Sequence, residues 1–479
     1  MQRYRREQDS LGVRRVPATA YYGIHTVRAT ENFPITGIPI AHYPSLLVAL
    51  AYLKSAAAVA NADLDLIDSK RRTAIQRACR EIITGQLHDE FVVDVIQGGA
   101  GTSTNMNANE VIANRGLELM GRKKGEYRYL HPLDHVNLSQ STNDVYPTAL
   151  KLTAYLMLRD LIDSLRYGIT AFERKGREFR DVLTMGRTQL QDAVPMTLGQ
   201  TFSAYAVTLG EDVQRIDDTM KLLTEINMGA TAIGTGINTH PEYKHRVREE
   251  LSALTGIRFI TAPDLVEATQ DTGVFVLLSG VLKRLAVKLS KIADDLRLLS
   301  SGPVAGFGEI NLPAMQPGSS IMPGKVNPVI PEVINQISFQ VIGSDLTVTL
   351  AAASGQLQLN AFEPIIGYNI FDSIEMLKDG CRILSDRCVS GITANVERCR
   401  ANVLRSPGLA TALTPLIGYE RAASIAKKSL TTGASVFDLA LAMRIVTRQQ
   451  LDALMDPRRM TGPTVSVRGR ARRKAPRRR

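Results

Sequence analysis

Cysteine is scarce in this chain, and its spacing excludes the common cysteine-based sites. The 479 residues include four cysteines, with no CxxC spacing and no neighbouring histidines: Cys79, Cys381, Cys388 and Cys399. Zinc sites and disulfide frameworks are recognised by regularly spaced cysteine or histidine ligands. We therefore expect reduced thiols and no metal site.

Segments that direct a chain to a membrane or out of the cell are also lacking. Residues 1–15 are polar and basic without an apolar core, so no secretory signal is expected. No run of about 18 uncharged apolar residues occurs, so no membrane span is expected. With 44% hydrophobic and 22% charged residues, the composition is that of a globular protein with a sizeable core. These features predict a cytoplasmic location.

Acidic residues are missing from the C-terminal end, and this explains most of the positive charge. The formal net charge is +11, and eight Lys and Arg side chains between Arg468 and Arg479 leave +3 (11 less 8) for the rest. A block of like charges with Gly and Pro predicts a disordered basic tail over 456–479. Because clustered basic side chains neutralise phosphates without sequence preference, a nonspecific polyanion contact by the tail stays open. A polyanion-binding protein is thus one alternative function.

Apolar residues at steps of three and four predict long helices between about residues 144 and 397. One series runs from Leu198 to Leu223 and another from Leu278 to Leu299. The second series stops before Ser301-Gly302-Pro303, a typical helix end. Residues beside the apolar stripe, such as Thr201, are small or uncharged, which indicates burial on several sides and contacts between subunits.

The predicted fold class is mainly α, because the chain is too long for one ordinary core and its strongest pattern is helical. Residues 1–143 form a mixed N-terminal domain with helices such as Leu46 to Ala60. Residues 144–397 form a central domain of long helices. Residues 398–455 form a small helical domain punctuated by Gly and Pro, followed by the tail.

A loop rich in glycine and proline carries the strongest candidate site. Residues Pro317 to Pro328 read Pro-Gly-Ser-Ser-Ile-Met-Pro-Gly-Lys-Val-Asn-Pro, and two glycines and three prolines in twelve residues exclude a regular helix or a central strand. The loop holds two hydroxyls, a cation and an amide: Ser319, Ser320, Lys325 and Asn327. This set suits a small carboxylate, with one oxygen as nucleophile or base. A solvated surface turn is the alternative.

Four segments resemble the fumarase/aspartase superfamily and occur in the same order. They are Gly-Ala-Gly-Thr-Ser-Thr-Asn-Met-Asn (99–107), Gln-Ser-Thr-Asn-Asp (140–144), Gly-Arg-Thr-Gln-Leu-Gln-Asp-Ala-Val-Pro (186–195) and the loop 317–328. The similarity runs from about Leu11 to about Leu454, and within the superfamily the chain is most similar to the aspartate ammonia-lyases. The resemblance implies three domains and a homotetramer whose central domains form a shared twenty-helix core. Each active site would be assembled from three subunits.

The resemblance also implies the reaction, which is reversible elimination of ammonia from L-aspartate to give fumarate. Ser319 would be the catalytic base, acting as an alkoxide and producing an aci-carboxylate intermediate. The residues implied to bind substrate are Thr102, Ser141, Thr142 and Ser320 at the β-carboxylate, Lys325 and Asn327 at the α-carboxylate, and Asn143, Thr188 and Gln189 around the amino group. Glu332 would have a supporting role. No cofactor is implied, and the chain shows no flavin, pyridoxal or catalytic-metal signature.

Two positions favour ammonia release over hydration. Fumarases carry a histidine where this chain has Gln189, and a serine where it has Thr142. Because an amide does not titrate near neutral pH, a His–Glu relay with Glu332 is absent. Fumarate hydratase remains the nearest alternative function.

Two further segments have competing interpretations. Thr102, Ser103 and Asn105 either bind an anion or cap the helix that follows, and both use the same free N–H groups. His131 and His135 have the spacing of a helical metal pair, but Pro132 indicates a helix entry instead. In fumarases the segment matching His131 is associated with a second dicarboxylate site, where Leu133 replaces an asparagine, so that role is not expected here.

Overall fold

The computed structural model describes residues 4–454 and 460–462, and helices dominate them. In chain order the helices are α1 (Ile24–Asn32), α2 (Pro44–Asp63), α3 (Ser69–Ile83), α4 (Thr102–Leu119), α5 (Thr142–Glu178), α6 (Leu198–Leu222), α7 (Tyr243–Thr255), α8 (Leu265–Gln270), α9 (Gly273–Leu299), α10 (Val329–Ala353), α11 (Glu363–Arg387), α12 (Val396–Arg405), α13 (Thr414–Ile417), α14 (Tyr419–Thr432), α15 (Val436–Ala442) and α16 (Arg448–Leu454). The prediction of a mainly α protein is confirmed. The predicted tail lies outside the described residues, apart from 460–462.

Five of these helices are long, with α5 spanning 37 residues and α6, α9, α10 and α11 spanning 25 to 27. The two apolar series seen in the sequence correspond to α6 and α9. Helix α9 ends at Leu299, just before Ser301-Gly302-Pro303. Periodicity therefore predicted α6 and α9 as helices, and Ser301-Gly302-Pro303 predicted the end of α9.

Strands are short and pair only in twos within the described residues. Strands β1 (Tyr4–Asp9) and β2 (Gly12–Pro17) are antiparallel, as are β3 (Leu183–Thr188) and β4 (Gln191–Thr197). Strands β5 (Glu225–Ile226) and β6 (Ile260–Thr261) are parallel, and β7 (Ile310–Asn311) and β8 (Thr393–Ala394) are antiparallel. The pair β3–β4 is the one that carries predicted site residues.

The described chain forms two compact units. One contains residues 4–166, 210–290 and 334–382, and the other contains 167–209, 291–333, 383–454 and 460–462. Each of the five long helices contributes residues to both units. The three-domain division at residues 143 and 397 follows the order of the chain and stays a prediction.

Helix α2 forms part of the core of the first unit, where it packs against α3 and α7. By length and composition it is able to cross a membrane, but 72% of its most apolar window is buried inside the protein, which is the burial of a core helix. Leu47, Leu50 and Leu53 are fully buried. Lys54, the lone charge between Leu46 and Ala60, is buried with them.

The core of the second unit joins the C-terminal helices to the β3–β4 hairpin. Met185 of β3 belongs to the same buried cluster as Val403, Leu409, Ile425 and Phe437. Burying side chains of this size stabilises the fold by about 1.5 to 3 kcal/mol each. The hairpin is therefore held at its base by a packed core.

Glu363, the first residue of α11, is a buried acid in the first unit. Its Oε2 atom is without a hydrogen-bond partner among the described residues. Burial raises the pKa of Glu363 to about 8, and the positive charge of Lys151 opposes this rise. The ionised form of Glu363 is therefore unfavourable in the folded protein.

We expect Glu363→Gln to stabilise the protein above about pH 8 and to change little near pH 5. The glutamate has a higher pKa folded than unfolded, so the folded state binds more protons between the two values. The wild-type free energy of unfolding therefore falls as pH rises through that window. Glutamine does not titrate, so the variant lacks this fall. Thermal unfolding at both pH values measures the difference; an equal fall in both proteins would contradict the assignment.

Candidate active site

The loop 317–328 is closed on itself by its own hydrogen bonds. The Gly318 N–H donates to the Lys325 carbonyl at 2.7 Å, and Asn327 Nδ2 donates to the Gly318 carbonyl at 2.9 Å. A Cβ on Gly318 would lie 2.8 Å from the Lys325 oxygen, so the close approach requires glycine. The segment is neither helix nor strand, as predicted, and these bonds give it a defined shape.

Ser319 sits in this loop with its oxygen facing two backbone donors. Its Oγ accepts from the N–H of Ile321 at 3.1 Å and of Met322 at 3.0 Å. Hydrogen bonds to a charged form favour that form, and successive N–H groups make a concavity suited to an anion. The two donors occupy two lone pairs of the oxygen. An alkoxide at Ser319 would keep its third lone pair to accept a proton.

The other loop residues differ in exposure. Ser320 and Lys325 are exposed, while Asn327 is half-buried with one amide hydrogen committed to Gly318. Glu332 lies in the first turn of α10 and is exposed. The charged and hydroxyl groups at 320 and 325 are thus available to a ligand.

Thr188 and Gln189 lie at the tip of the β3–β4 hairpin, where both side chains are exposed. Thr188 pairs with Gln191 across a two-residue turn formed by Gln189 and Leu190, whose φ angles are +53° and +61°. Such turns favour Asn and Gly, since other side chains are strained at positive φ. Gln-Leu is not a usual turn pair, so this turn is not recognisable from the sequence.

A buried ion pair holds the hairpin below this turn. Glu309 is fully buried, and its two carboxylate oxygens accept from Arg187 at 2.5 and 3.2 Å. The same carboxylate accepts from Thr184 Oγ1 at 2.9 Å and from Asn402 Nδ2 at 3.0 Å. A bidentate pair with further donors fixes geometry strongly. Glu309 was not predicted from the sequence, because it lies far from the hairpin along the chain and outside the four segments that resemble the family.

Thr102 begins α4, and here the capping interpretation is wrong. The N-cap is Gly101, with φ +88° and no side-chain cap. A Cβ at Gly101 would meet the Tyr146 ring at 2.4 Å, so the turn into the helix needs glycine. The Thr102 hydroxyl turns back to the Gly99 carbonyl at 2.7 Å, and the Asn105 side chain binds elsewhere. Thr102 itself is exposed.

Ser141, Thr142 and Asn143 lie at the start of α5, fixed by the buried carboxylate of Asp144. That carboxylate accepts from the N–H groups of Ser141 (2.9 Å), Gly229 (3.2 Å) and Thr231 (2.9 Å). Burial raises the pKa of Asp144 to about 6, and these three N–H donors oppose the rise.

Two further contacts define this end of α5. Asn143 Nδ2 donates to the Ala232 carbonyl at 2.7 Å. A cleft of about 380 Å³ lies beside Ser141, with Asn137, Gln140 and Thr231 also in its lining. Of the three site residues, Ser141 therefore borders a space large enough for a small ligand.

Thr142 contacts Asn105, which in turn contacts the buried Lys54. Neither residue was predicted from the sequence to support Thr142. Asn105 Nδ2 donates to Thr142 Oγ1 at 3.2 Å, and Lys54 Nζ donates to Asn105 Oδ1 at 2.7 Å. Burial lowers the pKa of Lys54 to about 7, while the Asp144 carboxylate opposes this fall; surrounding amide oxygens also favour the ammonium form. The signal available in the sequence was a single charge inside an apolar helix.

The predicted site residues fall into groups within each unit. In the first unit, Ser141, Thr142 and Asn143 lie together, and Asn105 links Thr142 to α4, which Thr102 begins. In the second unit, Ser319, Ser320, Lys325 and Asn327 share one loop, Thr188 and Gln189 share one turn, and Glu332 follows the loop. Within the described residues, no group of three or more His, Cys, Asp or Glu side chains is placed to hold a metal ion. All four cysteines are buried, and none forms a disulfide bond.

Comparison with known proteins identifies the family. The family model "Lyase" matches residues 12–343, and "Fumarase C C-terminus" matches residues 409–462. The aspartate ammonia-lyase of Pseudomonas fluorescens is 57% identical over 461 residues, which cover 96% of this chain and 96% of that protein. The aspartate ammonia-lyase of Escherichia coli K12 is 52% identical over 458 residues, which cover 95% of this chain and 96% of that protein.

Solved structures agree with the sequence relatives. The fumarate lyase:delta crystallin from Brucella melitensis bound to cobalt is 57% identical with a TM-score of 0.94, covering 96% of this chain and all of that one. The class II fumarase from Schistosoma mansoni is 35% identical with a TM-score of 0.91, covering 97% of this chain and all of that one. Identities of 52 to 57% over almost the whole chain show its family. The chain therefore belongs to the aspartate ammonia-lyase family of the fumarase/aspartase superfamily.

Proposed function

We propose that this protein is an aspartate ammonia-lyase, a carbon–nitrogen lyase that releases ammonia from L-aspartate to give fumarate. One observation carries the proposal: relatives with that activity in their name are 52 to 57% identical over 95 to 96% of the chain. A cytoplasmic location and the three-domain division are proposed with it.

The reaction needs a base and several donors, because the proton next to the β-carboxylate is very weakly acidic. Removing it creates a dianionic aci-carboxylate, and a preorganised donor aimed at developing charge contributes roughly 3 to 4 kcal/mol. We assign the base to Ser319. The two N–H donors at its Oγ support the assignment, because they stabilise an alkoxide. No step is assigned to a metal or a cofactor.

We assign the β-carboxylate to Thr102, Ser141, Thr142 and Ser320. Two of these open helices, since α4 begins at Thr102 and α5 begins at Thr142. Free N–H groups and the helix dipole favour an anion at such positions. The developing charge would thus meet hydroxyl donors and helix N-termini together.

The remaining assignments follow the family resemblance. Lys325 and Asn327 would hold the α-carboxylate, and Asn143, Thr188 and Gln189 would surround the amino group. The exposed ammonium of Lys325 supports its part, since a cation near a carboxylate gives a charge-assisted hydrogen bond. Glu332 keeps a supporting role.

Fumarate hydratase is the second candidate, and Gln189 argues against it. Its amide does not titrate near neutral pH, so it does not serve as an acid or a base in hydration. Polyanion binding is the candidate of another class. It rests on the basic tail, which lies outside the described residues, and it does not account for the ordered hydroxyl and amide groups around Ser319 and Thr142.

We further propose a homotetramer with a twenty-helix core, to which five long helices from each of four chains would contribute. An exposed apolar face on α10 supports subunit association. Phe339, Ile342, Leu346 and Leu350 lie at steps of three and four and are 38 to 63% exposed. A contiguous apolar face of this kind is typical of a protein interface.

Sites shared between subunits predict recovery of activity from two inactive variants. We expect Ser319→Ala and Thr142→Val to have little activity alone. When equal amounts are dissociated and reassembled, about a quarter of sites would receive both intact residues from different chains. The measurement is fumarate production before and after mixing.

The matched control mixes Ser319→Ala with Lys325→Ala. These residues share one loop, so no assortment of chains rebuilds an intact loop, and no recovery is expected. Equal absence of recovery in both mixtures would contradict a site in which Ser319 and Thr142 come from different subunits.

Amination of fumarate tests the proposed function directly. We expect the absorbance of fumarate to fall when ammonium is present, with L-aspartate as the product found by chromatography. Without ammonium, fumarate should persist. Loss of fumarate in water alone, with malate as product, would identify a hydratase instead.

A further inference from the structure

Lys54 lies at the centre of a buried network of amides in the first unit. Its Nζ donates to Asn105 Oδ1 at 2.7 Å, to Asn137 Oδ1 at 2.9 Å and to Gln140 Oε1 at 2.9 Å. Lys54 and Asn105 are almost completely buried, and Asn137 and Gln140 are half-buried. An ammonium group has three donors, so the three amide oxygens match it in number.

Lys54 helps to decide which way the Asn105 amide faces. The two ends of an Asn side chain have the same shape, so its partners set the orientation. Asn105 Oδ1 accepts from Lys54, and Asn105 Nδ2 also donates to Asn137 Oδ1 at 3.1 Å. A lysine ammonium only donates, and it therefore draws the oxygen of each amide towards itself. The NH₂ group of Asn105 must then face away from Lys54, towards Thr142.

This orientation determines what the Thr142 hydroxyl does. Asn105 Nδ2 donates to Thr142 Oγ1 at 3.2 Å, so the hydroxyl is the acceptor of that bond and its own O–H is left to donate elsewhere. With the amide reversed, the Asn105 oxygen would accept a hydrogen bond from the Thr142 hydroxyl. The direction of this one hydrogen bond therefore decides whether the Thr142 O–H can donate to a ligand or already donates to Asn105.

We propose that Lys54 is a positioning residue which, through Asn105, keeps the Thr142 hydroxyl free to donate to the β-carboxylate of the substrate. This inference rests on the proposed function, in which Thr142 binds that carboxylate. The β-carboxylate gains charge in the aci-carboxylate intermediate. A fixed donor is therefore worth more in the transition state than in the bound substrate, and Lys54 acts on turnover more than on substrate affinity.

A purely structural role does not explain a lysine at this place. The rest of α2 between Leu46 and Ala60 is uncharged, and a buried cation costs free energy that an apolar residue of similar size avoids. The network continues from Lys54 to Asn109, whose Nδ2 donates to Asn137 Oδ1 at 3.0 Å. The cation thus orders several amides behind Thr142.

The first test is Lys54→Met, which keeps the volume and removes every donor. We expect kcat for L-aspartate to fall about tenfold, near the upper value of one neutral hydrogen bond, with KM almost unchanged. The control is Lys151→Met, which removes another buried lysine, one that donates to the Glu225 carbonyl. This variant should leave kcat unchanged.

Two inhibitors separate the two roles of the site. Succinate is a ground-state dicarboxylate, and the β-nitro analogue of aspartate forms a nitronate that carries the charge of the aci-carboxylate. Nitronate affinity should fall with kcat, and succinate affinity should not.

A second variant, Asn105→Asp, tests the direction of the bond without removing Lys54. The new carboxylate keeps the contact with Lys54 but offers only acceptors to Thr142. The Thr142 hydroxyl then donates its hydrogen bond to Asp and no longer to the substrate. We expect the same loss of kcat and nitronate affinity in a tetramer of normal size. Adding Lys54→Met to Thr142→Val should cause no further loss of kcat, since both changes remove the same donor to the substrate, the Thr142 hydroxyl.

The outcomes distinguish this inference from the proposed function. If the wild type makes no fumarate from aspartate, the proposed function fails. If the wild type is active but Lys54→Met matches Lys151→Met, or succinate and nitronate affinities fall equally, only the role of Lys54 is overturned. Additive losses in the double variant would overturn it as well.

Discussion

Ser319→Ala is expected to lower kcat by about a hundred- to ten-thousand-fold, the usual contribution of a positioned base. The change deletes one oxygen, which leaves the N–H groups of Ile321 and Met322 to water. The loop keeps its shape through the bonds between Gly318, Lys325 and Asn327. KM should change only modestly because both carboxylates keep their donors. Initial rates of fumarate formation measure both constants.

Ser320→Ala is the matched control for this prediction. It removes the neighbouring hydroxyl, which is assigned to the β-carboxylate, so kcat should fall by about tenfold, near the upper value of one neutral hydrogen bond, and well short of the loss expected for Ser319→Ala. If Ser319→Ala kept more than about a tenth of wild-type kcat, the loss would be well below even the lower end of base catalysis. The base would then have to be another group.

Lys325→Ala is expected to weaken binding strongly. Hydrogen bonds to charged groups contribute about 1.5 to 3 kcal/mol, so KM for aspartate should rise roughly ten- to 150-fold. The backbone of Lys325 still accepts from Gly318, and the loop should therefore keep its conformation. Substrate titration and succinate inhibition measure the effect.

Met322→Ala provides the control in the same loop. The Met322 side chain is exposed, and its N–H continues to donate to Ser319, so no charge and no site hydrogen bond is lost. We expect an unchanged KM. A similar rise of KM in both variants would mean that the loop, rather than the ammonium of Lys325, determines affinity.

The sequence predicts local structure well where the signal is local. Helix α2 was expected over Leu46 to Ala60 and spans Pro44–Asp63, and α9 ends where Ser301-Gly302-Pro303 predicts. Glycines and prolines predicted the loop around Ser319. These signals depend on hydrophobic period and backbone restriction, which act within a few residues.

The supporting groups of the site were not predicted, because their partners are distant in the chain. Lys54 meets Asn105, Asn137 and Gln140 only after α2, α4 and the turn before α5 are folded together. Asp144 likewise binds the N–H groups of Gly229 and Thr231. A pattern along one helix does not reveal which buried polar groups will meet.

The roles of the site residues came from family resemblance rather than from spacing. From the residues alone, the loop 317–328 supported either a carboxylate site or a surface turn. The wrong interpretation of Thr102 and Asn105 as helix caps shows the same limit, since Gly101 at φ +88° provides the N-cap instead. Short polar motifs suit several uses, and the contacts decide among them.

The most direct measurement follows fumarate absorbance with L-aspartate and, separately, with L-malate. Thr142 and Gln189 stand where fumarases carry serine and histidine, so elimination of ammonia should be favoured over elimination of water. We expect steady fumarate formation from L-aspartate and little from L-malate. Comparable turnover of the two substrates, or preference for malate, would contradict the assignment as an aspartate ammonia-lyase.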